Sequence, residues 1–191
     1  CRRKRQRRRR SSVALRRSGS RSGRLVAIEL YRIDDRLIHG QVIVGWGQPM
    51  GLGFLVLVDD EVARSEWEQE LYRMGVPPEL DVFFASVADA TVALDAWNQD
   101  KRPGILLTSD IDTMARLANA KKSIRAVNLG GIHHRAGRVE RLRYLYLTGD
   151  EVRALQELER HGVEVTARDV PASRPVPLSA LLEGKGEEGA A

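Results

Sequence analysis

The sequence holds a single cysteine, Cys1, which excludes an internal disulfide framework and any cysteine-based metal cluster within one chain. Long apolar runs are also missing. Stretches such as Phe54 to Val58 are far too short to span a bilayer. Acidic residues are absent from Cys1 to Arg24, a segment with 12 basic side chains. The formal charge of +5 therefore misleads, because the other 167 residues carry 19 basic against 26 acidic groups, a net of −7. No aromatic and basic pattern continues past the tail, so no nucleic-acid partner is expected. The first 24 residues contain only Val13, Ala14 and Leu15 as aliphatic side chains, too few to offset ordering entropy, and read as a disordered tail. Arg16 and Arg17 follow at once, which excludes the apolar segment of a secretory signal. A start at or near Val26, with the upstream residues outside the working protein, is the expectation. At 191 residues the chain suits one domain, expected over 25–183, with 184–191 as a disordered C-terminus.

What is present alternates. Val26 to Tyr31, Phe54 to Val58, Asp81 to Ala85, Gly104 to Thr108, Ala126 to Leu129 and Val163 to Val170 read as strands. Helical spacing is expected from Leu37 to Trp46, and over 61–74, with Val62, Trp67, Leu71 and Met74 on the inner face. Further helices are expected over 86–98, 110–119 and 150–161, and a short one from Leu178 to Leu182. Residues 138–148 read as extended and mixed. Such alternation predicts an α/β single domain: a doubly wound, mostly parallel sheet with helices on both faces. Ligands bind beyond the carboxyl ends of such strands. No G-x-G-x-x-G follows the first strand, which weighs against a dinucleotide site.

After the first strand stands Arg32-Ile33-Asp34-Asp35-Arg36-Leu37-Ile38-His39-Gly40-Gln41-Val42. Two carboxylates, two guanidinium groups and an imidazole fall within eight residues, between a strand and a helix. A helix N-terminus offers unpaired N–H groups to phosphate, and Arg36 can grip phosphate oxygens bidentately. Gly40 would let backbone approach whatever His39 carries. A neutral imidazole is a nucleophile near pH 7, and a neighbouring carboxylate can set its tautomer. The parts suit transient phosphorylation of His39. The plainer reading is a helix cap or a packed polar residue beside a solvated Asp-Asp-Arg turn.

The string RIDDRLIHGQV resembles the active-site segment of the IIB component of the mannose/fructose/sorbose family of the bacterial sugar phosphotransferase system. VDDEVA (Val58 to Ala63), Pro77-Pro78, LLTSD (Leu106 to Asp110), NLGGIHH (Asn128 to His134) and GVEVTARDVP (Gly162 to Pro171) resemble further family blocks in the same order. The likeness covers about Val26 to Leu182. It implies a phosphotransferase of the protein-N(pi)-phosphohistidine–sugar type. The phosphoryl group comes from a IIA phosphohistidine onto His39, with Arg36 binding and transferring it. It then passes to a mannose-class sugar as membrane partners IIC and IID carry that sugar inward. It further implies a cytoplasmic protein associated with the inner face of the membrane through IIC and IID, and no metal or organic cofactor. Arg32, Asp34, Asp35, Gly40, Thr108 and Ser109 are expected to bind or orient phosphate, with His133 and His134 at the rim of the site. A local basic patch is expected around Arg32 and Arg36. Two departures stand out: the Arg-rich tail, and Ser109-Asp110 where the family often has Asn-Pro. A regulatory IIB-like phosphoprotein without a transport role is the alternative, and a homodimer is left open. His161, before Gly162 at a helix end, reads as structural.

Overall fold

The computed structural model describes residues 27–183; the expectations for 1–24 and 184–191 lie outside the described residues. Strands β1 (Ile28–Ile33), β2 (Phe54–Val58), β3 (Asp81–Ala85), β4 (Gly104–Thr108), β5 (Ala126–Leu129) and β8 (Glu164–Ala167) lie parallel in the order β3-β2-β4-β1-β5-β8. The short β9 (Val176–Pro177) closes the edge antiparallel to β8. Between β5 and β8, β6 (Val139–Leu142) and β7 (Leu145–Leu147) form a separate antiparallel hairpin. Ile132 fastens it to the end of β5 through hydrogen bonds with Tyr144 and Tyr146.

Both faces of the central strands are covered, which is why they read as unbroken apolar runs. Leu55 and Leu57 of β2 and Ile105 and Leu107 of β4 pack with Val42, Ile43 and Trp46 from a π-helix, Gln41–Gly47. That helix runs into a single turn, α1 (Gln48–Met50). The alternate side chains, Phe54, Val56, Val58 and Leu106, face the other way. They pack against α3 (Val87–Trp97), α4 (Ile111–Ala120) and α5 (Gly149–Arg160), with Leu178 and Leu181 of α6 (Leu178–Glu183) completing that core. The chain thus leaves β1 onto one face, and leaves β4 and β5 onto the other. Such divergence between neighbouring strands opens a crevice at their carboxyl ends.

The helix starts follow local capping chemistry. Asp110 accepts from the Thr113 N–H at 2.8 Å, and Thr148 forms a reciprocal capping box with Glu151. Three expectations need correction. First, β1 extends to Ile33, so Arg32 lies inside the strand rather than in the loop. Second, the helix after β1 begins at Gln41, because Leu37 sits in the left-handed region (φ 54°) and ends regular structure there. Third, the helix expected over 61–74 is broken. A 3-10 turn, Val62–Arg64, is followed by α2 (Glu66–Met74), capped by Ser65. Of the expected inner face only Val62 is buried; Trp67, Leu71 and Met74 point outward, at 73%, 54% and 78% exposure. Polar contacts and a second apolar stripe set the rotation of α2. Gln69 donates to the carbonyls of Val62 and Ala63 at 3.1 Å each. Tyr72 packs on Phe84 at 6.3 Å, and Arg73 lies over the same ring.

Candidate active site

The loop between β1 and the π-helix folds around one buried carboxylate. Asp34, with no solvent exposure, accepts from Arg32 Nη2 (2.8 Å), Arg36 Nε (3.0 Å), Arg36 Nη2 (3.1 Å), the Arg36 N–H (3.3 Å) and the Gly131 N–H (3.1 Å). A buried charge is tolerable only when paired and hydrogen-bonded, and this one is saturated. Burial pushes the Asp34 carboxyl up, but the Arg36 hydrogen bonds, the Arg32 charge and the Gly131 N–H outweigh it and hold it below the usual range. Arg36 responds in the opposite sense. Burial pulls it down, Asp34 more than compensates, and its proton is held more tightly than usual.

Arg32 is fully buried, so the expected basic surface patch does not include it. Desolvation lowers its pKa against the opposing pull of Asp34. Its guanidinium donates to the Asn128 side chain and to the carbonyls of Arg168 (2.9 Å) and Asp169 (3.3 Å), and lies over the Trp46 ring at 5.2 Å. Arg32 thus positions Asp34, and Asp34 positions Arg36. The Arg36 side chain is 36% exposed, and its Nη1 has no hydrogen bond among the described residues. Gln41 completes the frame, accepting from Arg36 Nη2 and donating to the Asp169 carboxylate, each at 2.8 Å.

Such a close triad requires glycine at the end of β5. A Cβ on Gly130 would stand 2.3 Å from Arg32 Nη2, and one on Gly131 2.9 Å from Arg36 Nη2. Gly40 is different: it has ordinary helical φ, no side-chain cap bond, and open space where a Cβ would be.

His39 is half-buried at the mouth of this loop. Its Nδ1 lies 2.8 Å from the Leu37 carbonyl, which can only accept, so Nδ1 carries the proton. Leu37, rather than the expected carboxylate, therefore sets the tautomer. The lone pair falls on Nε2, which among the described residues has no hydrogen-bond partner and is closed to solvent in this orientation. No hydrogen bond joins His39 to Arg36 among the described residues.

Asp35 turns the other way. Its N–H donates to the Gly131 carbonyl at 2.9 Å, and its carboxylate takes the His133 N–H (2.8 Å) and ring Nδ1 (2.6 Å). His134 packs edge-on to Tyr146 instead. Thr108 is fully buried; its carbonyl accepts the Asp34 N–H at 3.0 Å and its hydroxyl donates to the Asp110 carbonyl. The Ser109 hydroxyl reaches Asp59 (3.1 Å) and Asp110 (2.9 Å). The structure thus gathers Arg32, Asp34, Asp35, Arg36 and His133 into one bonded frame. It ties Thr108 to that frame by backbone and turns Ser109 towards the acidic ends of β2 and β4. Asn128, Gly130, Gly131 and Asp169 fall in sequence blocks already singled out, and Gln41 in the loop motif itself, although no roles could be read for them. Trp46 read only as an apolar helix position, and Arg138, described below, gave no signal.

A doubly wound sheet with a charged loop at the carboxyl end of a central strand places this chain among the α/β proteins that carry their sites at that end. Within that class, residues 28–190 match the family model for the PTS system sorbose subfamily IIB component. The chain is 31% identical over 149 residues to the sorbose-specific EIIB component of Klebsiella pneumoniae, covering 78% of this chain and 90% of that protein. It is 29% identical over 160 residues to the mannose-specific EIIAB component of Escherichia coli K12, and spans 49% of that relative's length. Among solved structures, manxB from Thermoanaerobacter tengcongensis superposes with a TM-score of 0.75 at 31% identity, covering 86% of this chain and 99% of that one. The IIBSor domain of the K. pneumoniae sorbose permease gives 0.74 at 28% identity, covering 83% and 98%. The chain belongs to the sorbose subfamily of IIB components.

Proposed function

We propose that this chain is a phosphocarrier that takes a phosphoryl group on His39 from a IIA phosphohistidine. It passes the group to a mannose-class sugar during uptake through IIC and IID, working on the cytoplasmic side of the membrane. The observation that carries this reading is the buried brace from Arg32 through Asp34 to Arg36, which holds one partly exposed guanidinium on the same loop as His39. Phosphoryl transfer asks for positioning and charge stabilisation more than covalent chemistry beyond the nucleophile. Arg36, with its free Nη1 edge, supplies the charge; the open space at Gly40 admits a partner. Among the described residues no helix is long and apolar enough to cross a membrane, and no cluster of His, Cys, Asp and Glu could hold a metal ion.

The reading also fixes what must move. Neither ring nitrogen of His39 is free to attack in the observed orientation, so the ring turns off the Leu37 carbonyl to accept phosphate. That gives up one hydrogen bond, worth about 1 kcal/mol, a small barrier beside the chemistry. Incubation with phosphorylated IIA tests the assignment. The native chain is expected to take up acid-labile phosphate and His39→Ala to take up none. Acid-labile label on that variant would remove His39 from the role. Arg36→Lys keeps the charge but loses the planar fork and is expected to slow transfer by about 10²-fold.

A further inference from the structure

We propose that His133, oriented by Asp35, is the general base that takes the proton from the acceptor hydroxyl when the phosphoryl group leaves His39. This rests on the phosphocarrier reading and adds a chemical role that His39 and Arg36 do not fill. The two half-reactions differ in their protons. Transfer from a donor histidine to His39 is nitrogen to nitrogen and involves no hydroxyl. Transfer to a sugar forms an O–P bond, breaks the N–P bond of phospho-His39 and returns that electron pair to the ring. The hydroxyl proton must go to a base, and a positioned imidazole is suited to receive it.

His133 is built for that task. Both carboxylate oxygens of Asp35 are spent on it, one on the backbone N–H and one on Nδ1. A carboxylate only accepts, so Nδ1 carries the proton and Nε2 is the lone pair. The Asp35 side chain is 8% exposed while the imidazole is 55% exposed, so the anchor is buried and the ring is presented. Arg138 locks the backbone, donating Nη1 to the His133 carbonyl at 2.8 Å and lying 3.9 Å from Asp35, while Glu151 of α5 takes the rest of its fork. The charged groups facing His133 are therefore Asp35 from the active loop and Arg138, itself neutralised by Glu151. The unit adjoins the reacting loop: Asp35 stands between Asp34 and Arg36, and Gly131, two residues before His133, donates its N–H to Asp34 and leaves no room for a Cβ beside Arg36. After the transfer Asp35 stabilises the imidazolium, as a carboxylate does for a histidine base in other group-transfer sites.

The test uses the full chain with phosphorylated IIA and membranes holding IIC and IID, supplied in separate runs with mannose, sorbose, fructose and N-acetylgalactosamine. His133→Asn keeps a donor near the Nδ1 position and removes the base. The expected pattern is a split. Discharge to sugar slows by about 10²-fold, at least about tenfold more than charging of His39 does. Discharge by the native chain is expected to fall towards acid pH, and the variant to lack that limb. Native discharge rate and pH profile in the variant would overturn the proposal and place the base in the membrane partner. Equal slowing of charging and discharge, or slow discharge with the native pH profile, would also overturn it, leaving His133 a structural tie. Failure of the native chain to be charged at all would overturn the phosphocarrier reading itself, a distinct outcome.

Discussion

At the scale of single residues the site is an exercise in keeping buried charge matched. Asp34 compensates two guanidinium groups, one of them wholly buried, so removing its charge strands Arg32. Asp34→Asn is expected to cost about 3–5 kcal/mol at neutral pH, the range for breaking a buried pair, read from urea unfolding. The pH dependence has a fixed sign. The folded-state pKa of Asp34 lies below its unfolded value. Its contribution is therefore complete above about pH 4 and is lost as pH falls through the depressed value. The native chain should show that acid loss, and Asp34→Asn should show less of it. Glycine enters the same ledger. Gly130→Ala forces a methyl group into the Arg32–Asp34 contact and is expected to cost about 1–3 kcal/mol. Gly40→Ala meets nothing and should leave the unfolding midpoint nearly unchanged.

At the scale of elements, periodicity located nearly every strand and helix but did not orient α2. Trp67, Leu71 and Met74 recur at helical spacing, yet the Ser65 cap, the Gln69 bonds and the Tyr72–Phe84 contact turn that stripe outward. The comparison of Trp67→Ala with Thr148→Ala makes this measurable. The tryptophan is larger, but its loss should shift stability by no more than about 0.5 kcal/mol. Loss of the capping-box threonine should cost about 1 kcal/mol. A larger effect at Trp67 would mean that α2 buries that side chain. The interval over 138–148 was legible only as extended. The docking of that hairpin on the end of β5 depends on Ile132, more than ten residues from Tyr144 and Tyr146, a contact that no local pattern encodes.

At the scale of the whole molecule, charge is divided between a basic tail and an acidic domain that carries a positive group at one loop. Removing residues 1–24 changes the formal net charge from +5 to −7. Among the described residues the core is complete in 27–183. The shortened chain is therefore expected to keep its thermal midpoint and its charging by phosphorylated IIA. A fall in either would give the tail a part in folding or docking.

The order of the parallel strands along the sequence, the two-faced burial of the central strands and the place of the charged loop after β1 all followed from the chain alone. Each depends on neighbours close in sequence: alternating side chains, caps three residues away, a motif eleven residues long. The burial of Arg32, the demand for glycine at 130 and 131, and the pairing of Asp35 with His133 were decided only by the folded molecule. These contacts span 97 and 98 positions. The parallel sheet brings β1 and β5 side by side, and that adjacency, rather than any local preference, determines which charges meet.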